Sequence, residues 1–186
     1  MTIRTNTRDA VIEAAFQLLN RDPTASLADI AAHAGVGRAT LHRHFAGRED
    51  LLVALAKTAI EELDQAVDAA TVDAPSYADG LRISLDVIIP LADRYWFLSR
   101  EASEQDPAVS AAYDRQQREL ADAIDGAKAE GSFAKDIPTA WIVQTYEHLI
   151  GAAWEAIRAG DIAPNQASAL AWQTLTRGIG IASHDE

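Results

Sequence analysis

The chain contains no cysteine and a single methionine. A disulfide framework, a thiolate zinc site and a cysteine nucleophile are therefore excluded. Aromatic residues are scarce, at 6%, and there are six prolines in 186 residues. No apolar run approaches the ~20 residues that a membrane helix needs. The start, residues 1–8, has no apolar stretch of the secretory type. Positive charge is also in short supply: 16 Lys and Arg stand against 28 Asp and Glu, a formal charge of −12. These absences predict a soluble, cytoplasmic protein that makes no use of a membrane. What is there is apolar enough to fold, since 48% of the residues are hydrophobic. A chain of this size buries roughly 70% of its unfolded surface, and disorder is not expected.

Alanine supplies 38 of the 186 residues, and alanine is the best helix former. Pro23, Pro75, Pro107, Pro138 and Pro164 lie between apolar-periodic segments, the last four where helices can start. Pro90 alone interrupts an apolar stretch. No period-two alternation marks a strand, so an all-α chain is expected. The spacing of Val11, Ile12, Ala15, Phe16 and Leu19 predicts a helix over 7–20. Ser26, with Asp29 three residues on, predicts a capped helix ending at Gly35, with Leu27, Ile30, Ala31 and Ala34 inward. Further helices are expected over 37–45, 48–70, 76–103 with a kink at Pro90, 107–130, 138–159 and 164–182, and residues 71–76 form a joint.

Charge is unevenly placed. Residues 1–50 carry six basic and six acidic side chains, whereas 51–186 carry ten and 22, so the whole net −12 lies in the second part. Electrostatic screening over about 8–10 Å lets a neutral, Arg- and His-bearing segment touch phosphate despite a distant acidic remainder.

Two short helices separated by a glycine-containing turn form a helix-turn-helix candidate. Ala31 is small enough for a close helix crossing, Gly35 lies in the turn, Val36 plugs the corner, and Leu41 and Phe45 face inward. At about 100° per residue, the outward arc of the second helix then holds Ala39, Thr40, His42 and Arg43, with Arg38 at its exposed start. A recognition helix presents such residues to the major groove, where arginine bonds guanine bidentately and threonine meets a phosphate or a thymine methyl. Thr40 and His44 are also consistent with capping or packing.

Residues 30–45, Ile-Ala-Ala-His-Ala-Gly-Val-Gly-Arg-Ala-Thr-Leu-His-Arg-His-Phe, followed by Arg48-Glu49-Asp50-Leu51-Leu52, resemble the TetR family of bacterial transcriptional regulators. Ile12, Ala15, Phe16 and Leu19 match upstream, and the resemblance covers about residues 7–55. It implies a three-helix DNA-binding domain over 1–50 and a larger helical ligand-binding and dimerisation domain over 51–186. It also implies a repressor that binds a palindromic operator as a dimer and is released by a small molecule. The DNA-binding set is Arg38, Ala39, Thr40, His42, Arg43, His44 and Arg48. The sequence departs from the family in His42, where tyrosine is usual, in Gly37, where Ser or Thr often caps, and in Arg48, where lysine is common and the charge for a phosphate contact is kept.

In the second part, the segment 138–159 is apolar nearly all round, with Trp141, Ile142, Val143, Tyr146, Leu149, Ile150, Ala153, Trp154 and Ile157. Such a helix needs cover on more than one side. With Ala167, Leu170, Ala171, Leu175 and Ile179 of the last helix, it is expected to form a four-helix homodimer interface. An effector of apolar or aromatic character is expected against Leu63, Val67, Ile83, Val87, Leu91, Trp96, Tyr113, Gln116, Trp141, Tyr146 and His148. The expected mechanism is a population shift, with the helix from Arg48 to Ala70 as lever. No cofactor or metal is expected. His42 and His44 point about 200° apart on a helix and cannot share a metal. Neither H-E-x-x-H, G-x-S-x-G nor a phosphate loop is present. The rival readings are a regulator controlled by a protein partner and, on the thin basis of Glu147 and His148, a small all-α enzyme.

Overall fold

The computed structural model describes residues 6–101 and 106–179. These form nine α-helices and no β-strand: α1 (Thr7–Leu19), α2 (Leu27–His33), α3 (Arg38–His44), α4 (Arg48–Thr71), α5 (Tyr77–Ile88), α6 (Ala92–Glu101), α7 (Pro107–Ala129), α8 (Thr139–Ala159) and α9 (Pro164–Ile179). None of the described helices is long and apolar enough to cross a membrane. The expected ends of the helices at residues 103 and 182 lie outside the described residues.

Local chemistry sets the boundaries. The Asn6 side chain accepts the Arg8 N–H at the start of α1. Ser26 and Asp29 cap each other's backbone N–H, the reciprocal arrangement that starts α2. Ser76 does the same service for α5 by accepting from Asp79 N. Pro107 and Pro164 are the first residues of α7 and α9, whereas Pro138 occupies the cap position before α8. At Pro90 the expected kinked helix becomes two, α5 and α6, joined by a 3-10 turn at Ile89–Leu91. Proline offers no N–H and its ring crowds the preceding turn, so the α ladder cannot run through it.

Packing divides the chain into two compact units. One comprises Met1–Glu62 with Asp93–Tyr113, and the other Leu63–Ala92 with Asp114–Glu186, within the described residues. The expected boundary after residue 50 falls inside the first unit. Leu51, Leu55 and Ala59 are fully buried, so the first half of α4 belongs to the first unit's core rather than to the second domain. In that core Phe16, Ile30, Leu41 and Phe45 are also buried, and Phe97 meets Phe16 edge-on at 5.5 Å. The second unit buries Leu85, Ile124, Phe133, Ile142, Ile150 and Leu175. There the Tyr146 hydroxyl donates to the Leu81 carbonyl at 2.8 Å, tying α8 to α5, and burial pushes its pKa well above the usual phenol value.

Candidate nucleic-acid interface and effector region

The turn between α2 and α3 is built on one glycine. Gly35 has a φ of +68°, a conformation that costs any residue with a Cβ. The turn is closed by Val36 N–H to Ala31 carbonyl at 2.9 Å and Gly35 N–H to Ala32 carbonyl at 3.1 Å. This pair of bonds satisfies the end of α2 and swings the chain at once into α3. Leu41 and Phe45, 1% and 2% exposed, anchor α3 to the core. Ile30 and Ala31 anchor α2, while Leu27 and Ala34 are half-buried, and Ala25 just ahead of α2 is buried as well.

With Leu41 and Phe45 inward, Arg38, Ala39, His42, Arg43 and His44 are exposed and Thr40 is half-buried. The Arg43 guanidinium donates to Thr40 Oγ1 at 3.3 Å, one turn away on the same face. Arg8 of α1 lies over the Phe45 ring at 5.6 Å, adding a cation beside this surface. The outward face therefore carries four cationic or imidazole side chains and a hydroxyl, and no carboxylate of α3 itself competes with a phosphate.

Arg48 is placed differently from the expectation. Its guanidinium donates to the carbonyls of Pro23 and Ala25, both at 2.5 Å, so it closes the α1–α2 connection onto the start of α4. Those carbonyls lie in a turn with no helix to absorb them, and an arginine fork satisfies both at once. The side chain thus serves as an internal staple rather than as an outward phosphate ligand. Nothing in the local sequence signals this, because the partners are more than twenty residues away.

Two residues of the expected effector wall, Trp141 and His148, face outward. Trp141 is 65% exposed and His148 is exposed, with its Nδ1 against the Gln144 carbonyl, so neither lines an interior cavity. Both belong to the N-terminal half of α8, whose inward positions are taken by Ile142, Val143 and Tyr146. Tyr113 falls in the first compact unit, as does the backbone of Trp96, whose side chain lies outside the described residues. Leu63 and Tyr146 are buried, Ile83, Val87 and Leu91 are half-buried, and Gln116 is bonded to Asp64 at 2.7 Å. Glu147 accepts from Gln117 Nε2 at 2.5 Å, and Asp86 pairs with Arg82 on the surface of α5.

The second unit does hold a groove of about 420 Å³, and of the expected wall residues Val67 alone lines it. Thr71, Ala74, Pro75, Ser76, Tyr77, Gly80, Leu81, Ser84, Ala123 and Glu130 complete it. Small side chains make the space. The Tyr77 ring lies so close to Gly126 that an added Cβ would sit 2.5 Å from it. Glu130 receives the Tyr77 N–H on both carboxylate oxygens at 3.1 Å, which fixes the start of α5 against the end of α7.

Among the expected dimer residues, Ala167, Ala171 and Leu175 are buried within the subunit's own packing of α9 on α8, and so are not available to a partner. Leu170 is 45% exposed, and Trp154 and Leu149 are half-buried. The Ile179 side chain lies outside the described residues.

The sequence model of bacterial regulatory proteins of the tetR family matches residues 11–55, the segment that builds α1 to the start of α4. The chain is also 32% identical over 158 residues to the HTH-type transcriptional repressor LfrR of Mycolicibacterium smegmatis, covering 84% of this chain and 82% of that protein. The chain belongs to the TetR family. It is a DNA-binding transcriptional regulator, with an N-terminal helix-turn-helix and a helical C-terminal part. The crystal structure of LfrR from Mycobacterium smegmatis in complex with proflavine superposes on the regulator with a TM-score of 0.76, at 30% identity, over 95% of this chain and 97% of that one. The ketosteroid transcriptional regulator KstR2 of Mycobacterium tuberculosis shares the fold, with a TM-score of 0.77 at 16% identity, over 97% of this chain and 98% of that one.

Proposed function

We propose that this regulator is a repressor that reads a palindromic operator as a homodimer and is released by a small planar aromatic molecule. The observation that carries the DNA half of this reading is the exposed face of α3, where Arg38, Ala39, Thr40, His42, Arg43 and His44 stand clear of the core. Two such faces spaced about 34–36 Å apart, or a multiple of that, meet successive major grooves on one side of the duplex. Dimerisation supplies the second face, and α8 and α9 are the helices we assign to it, with Leu170 and Trp141 as exposed apolar positions. The DNA-reading part is assigned to α1–α3 with the first half of α4, and the effector-binding and dimerisation part to the second compact unit.

The effector half of the reading is supported by the likeness to a repressor solved with proflavine, which is a planar aromatic amine. The groove beside Val67 and Tyr77 suits such a ligand by size, since drug-sized sites run from about 300 to 1,000 Å³. Ligand favours the state in which the two recognition helices are wrongly separated, and α4, which enters both compact units, is the element that transmits the change.

The test is binding of the purified protein to its own upstream DNA, or to duplexes selected from random sequence, across salt. Saturable, sequence-dependent binding is expected. Arg43→Ala should weaken it by about 1–3 kcal/mol if Arg43 reads a base. Proflavine added to that complex should release the duplex. Sequence-independent binding, unmoved by Arg43→Ala, overturns the assignment of α3.

A further inference from the structure

One half-buried cation stands apart from everything used so far. Arg94, near the start of α6, is 13% exposed and engages three carboxylates from three helices. Its Nε donates to Glu62 of α4 at 2.8 Å, its Nη2 to Glu13 of α1, and its Nη1 to its neighbour Asp93. Its guanidinium carbon lies 4.6 Å from the centre of the Phe16 ring, on α1. A second contact runs parallel to it: Asn20, which ends α1, donates to the Asp93 carbonyl at 2.8 Å. All of these residues belong to the first compact unit.

The position of this cluster along the chain matters as much as its contacts. The chain passes between the two compact units at Glu62–Leu63, at Ala92–Asp93 and at Tyr113–Asp114. The first two passages are flanked by residues that Arg94 holds, Glu62 on one side and Asp93 on the other. The third partner, Glu13, lies on α1, against which the DNA-reading pair is packed. The charge count is lopsided, one guanidinium against three carboxylates. Burial pushes Asp93 above the usual carboxylate range. Burial also acts upward on Glu13, but the Arg94 hydrogen bond and charge, together with the Gln17 hydrogen bond, more than offset it, so Glu13 lies below that range. Without the arginine, three acidic groups would face one another across α1, α4 and α6, and the apolar seat on Phe16 would be left open.

We infer that Arg94 is a positioning residue for operator binding, holding α1 to α4 and α6 at two of the points where the chain enters and leaves the DNA-reading unit. This rests on the reading of α3 as the DNA-reading helix and adds what keeps α3 in place. A helix-turn-helix pair released from α4 must be re-ordered on the duplex, and that ordering is subtracted from the affinity. A lysine cannot replace the arginine, since a single ammonium does not present the planar fork that serves three separate acceptors.

The experiment uses the full chain, the selected operator duplex and a random duplex, with anisotropy titrations well below each variant's melting temperature. Arg94→Met is expected to weaken operator binding at least about tenfold, as coupled networks do, while random-duplex binding changes little. Glu62→Gln and Glu13→Gln should each give a smaller loss. The double variant Arg94→Met with Glu62→Gln should bind no worse than Arg94→Met alone. Operator affinity within about twofold of the parent overturns the inference, since non-additive coupling in a contact network is what it requires. So does an equal loss on both duplexes, because that marks general damage. If Arg94→Met does not fold, Arg94→Lys and Glu62→Gln decide by the same criteria. A parent protein that prefers no duplex would sink the reading of α3 itself, and the inference with it, whereas an operator-specific parent with an indifferent Arg94 variant sinks the inference alone.

Discussion

Arginines in this molecule do three different jobs, decided by what surrounds each guanidinium. Arg43 is exposed on α3 and bonded only within its own helix face, which leaves it free to meet DNA. Arg48 lies at the start of α4 with both terminal nitrogens on backbone carbonyls of the α1–α2 connection. Arg94 is half-buried among carboxylates. The distinction has a measurable consequence for Arg48. A phosphate ligand contributes about 0.9 to the slope of log affinity against log salt, and its removal lowers that slope by about the same amount. Arg48→Met is expected to leave the salt slope unchanged and to lower stability by roughly 1–3 kcal/mol, the cost of orphaning the part-buried Ala25 carbonyl. Operator titrations across salt, beside urea unfolding, check both parts. A shallower slope at unchanged stability would return Arg48 to the DNA surface.

The elements that carry the DNA-reading face are short, so their ends matter more than their interiors. The α2 and α3 helices have seven residues each, below the length at which a helix is stable alone. Caps and core contacts hold them. Asp29 closes the capping box at the start of α2, and the Ser26 hydroxyl bonded to it draws its pKa below the ordinary aspartate value. Asp22 is lowered in the same way by the Thr24 hydroxyl, and Asp106 by Lys57. A carboxylate held low in the folded state adds stability above its unfolded pKa of about 3.9, and that stability is lost as pH falls through the lower folded value. Asp93, pushed up by burial, acts in the opposite direction and gains as the medium is acidified. With four lowered groups, Glu13 among them, against one raised, the melting temperature should fall as pH drops below about 4, and Asp29→Asn should make the fall shallower. A melting curve insensitive to pH over 2–5, a range set by free carboxylate values, would show that these caps contribute nothing.

At the scale of the whole molecule, the proposed reading of a palindromic operator calls for two copies. The apolar surface that remains on α8 and α9 after the subunit has packed is smaller than the sequence pattern suggests, because Ala167, Ala171 and Leu175 are consumed internally. Leu170 is left exposed, and a carboxylate there would be desolvated in any dimer formed through α9. Leu170→Glu is expected to weaken dimerisation at least about tenfold, consistent with about 1–3 kcal/mol for an uncompensated buried polar group. Sedimentation equilibrium reads it, and operator affinity should fall in parallel because a palindrome needs two recognition helices. A variant that remains dimeric places the interface on other surfaces.

Patterns that repeat within one or two turns were legible without any structure. The apolar spacing of α1, the Ser26–Asp29 cap, the Gly35 turn and the outward arc of α3 all follow from the helical period and from the few residues able to start or stop a helix. So do a disturbance at Pro90, expected as a kink where the structure has two helices, and the first residues of α7 and α9. These are local rules, and the family match rests on the same segment. What only the tertiary structure decided involves residues far apart in the chain: Arg48 on Pro23 and Ala25, Arg94 on Glu13 and Glu62, Tyr77 on Gly126 and Glu130. The outward placement of two expected effector-wall residues has the same origin. Trp141 and His148 share a helix with Tyr146, but which side of α8 faces inward is set by the helices that cover it, and an all-round apolar helix carries no periodic signal to tell the sides apart. Charge behaves alike: sequence places a carboxylate or a guanidinium, but its partner, its burial and therefore its role come from the packing of elements that the chain joins by covalent paths dozens of residues long.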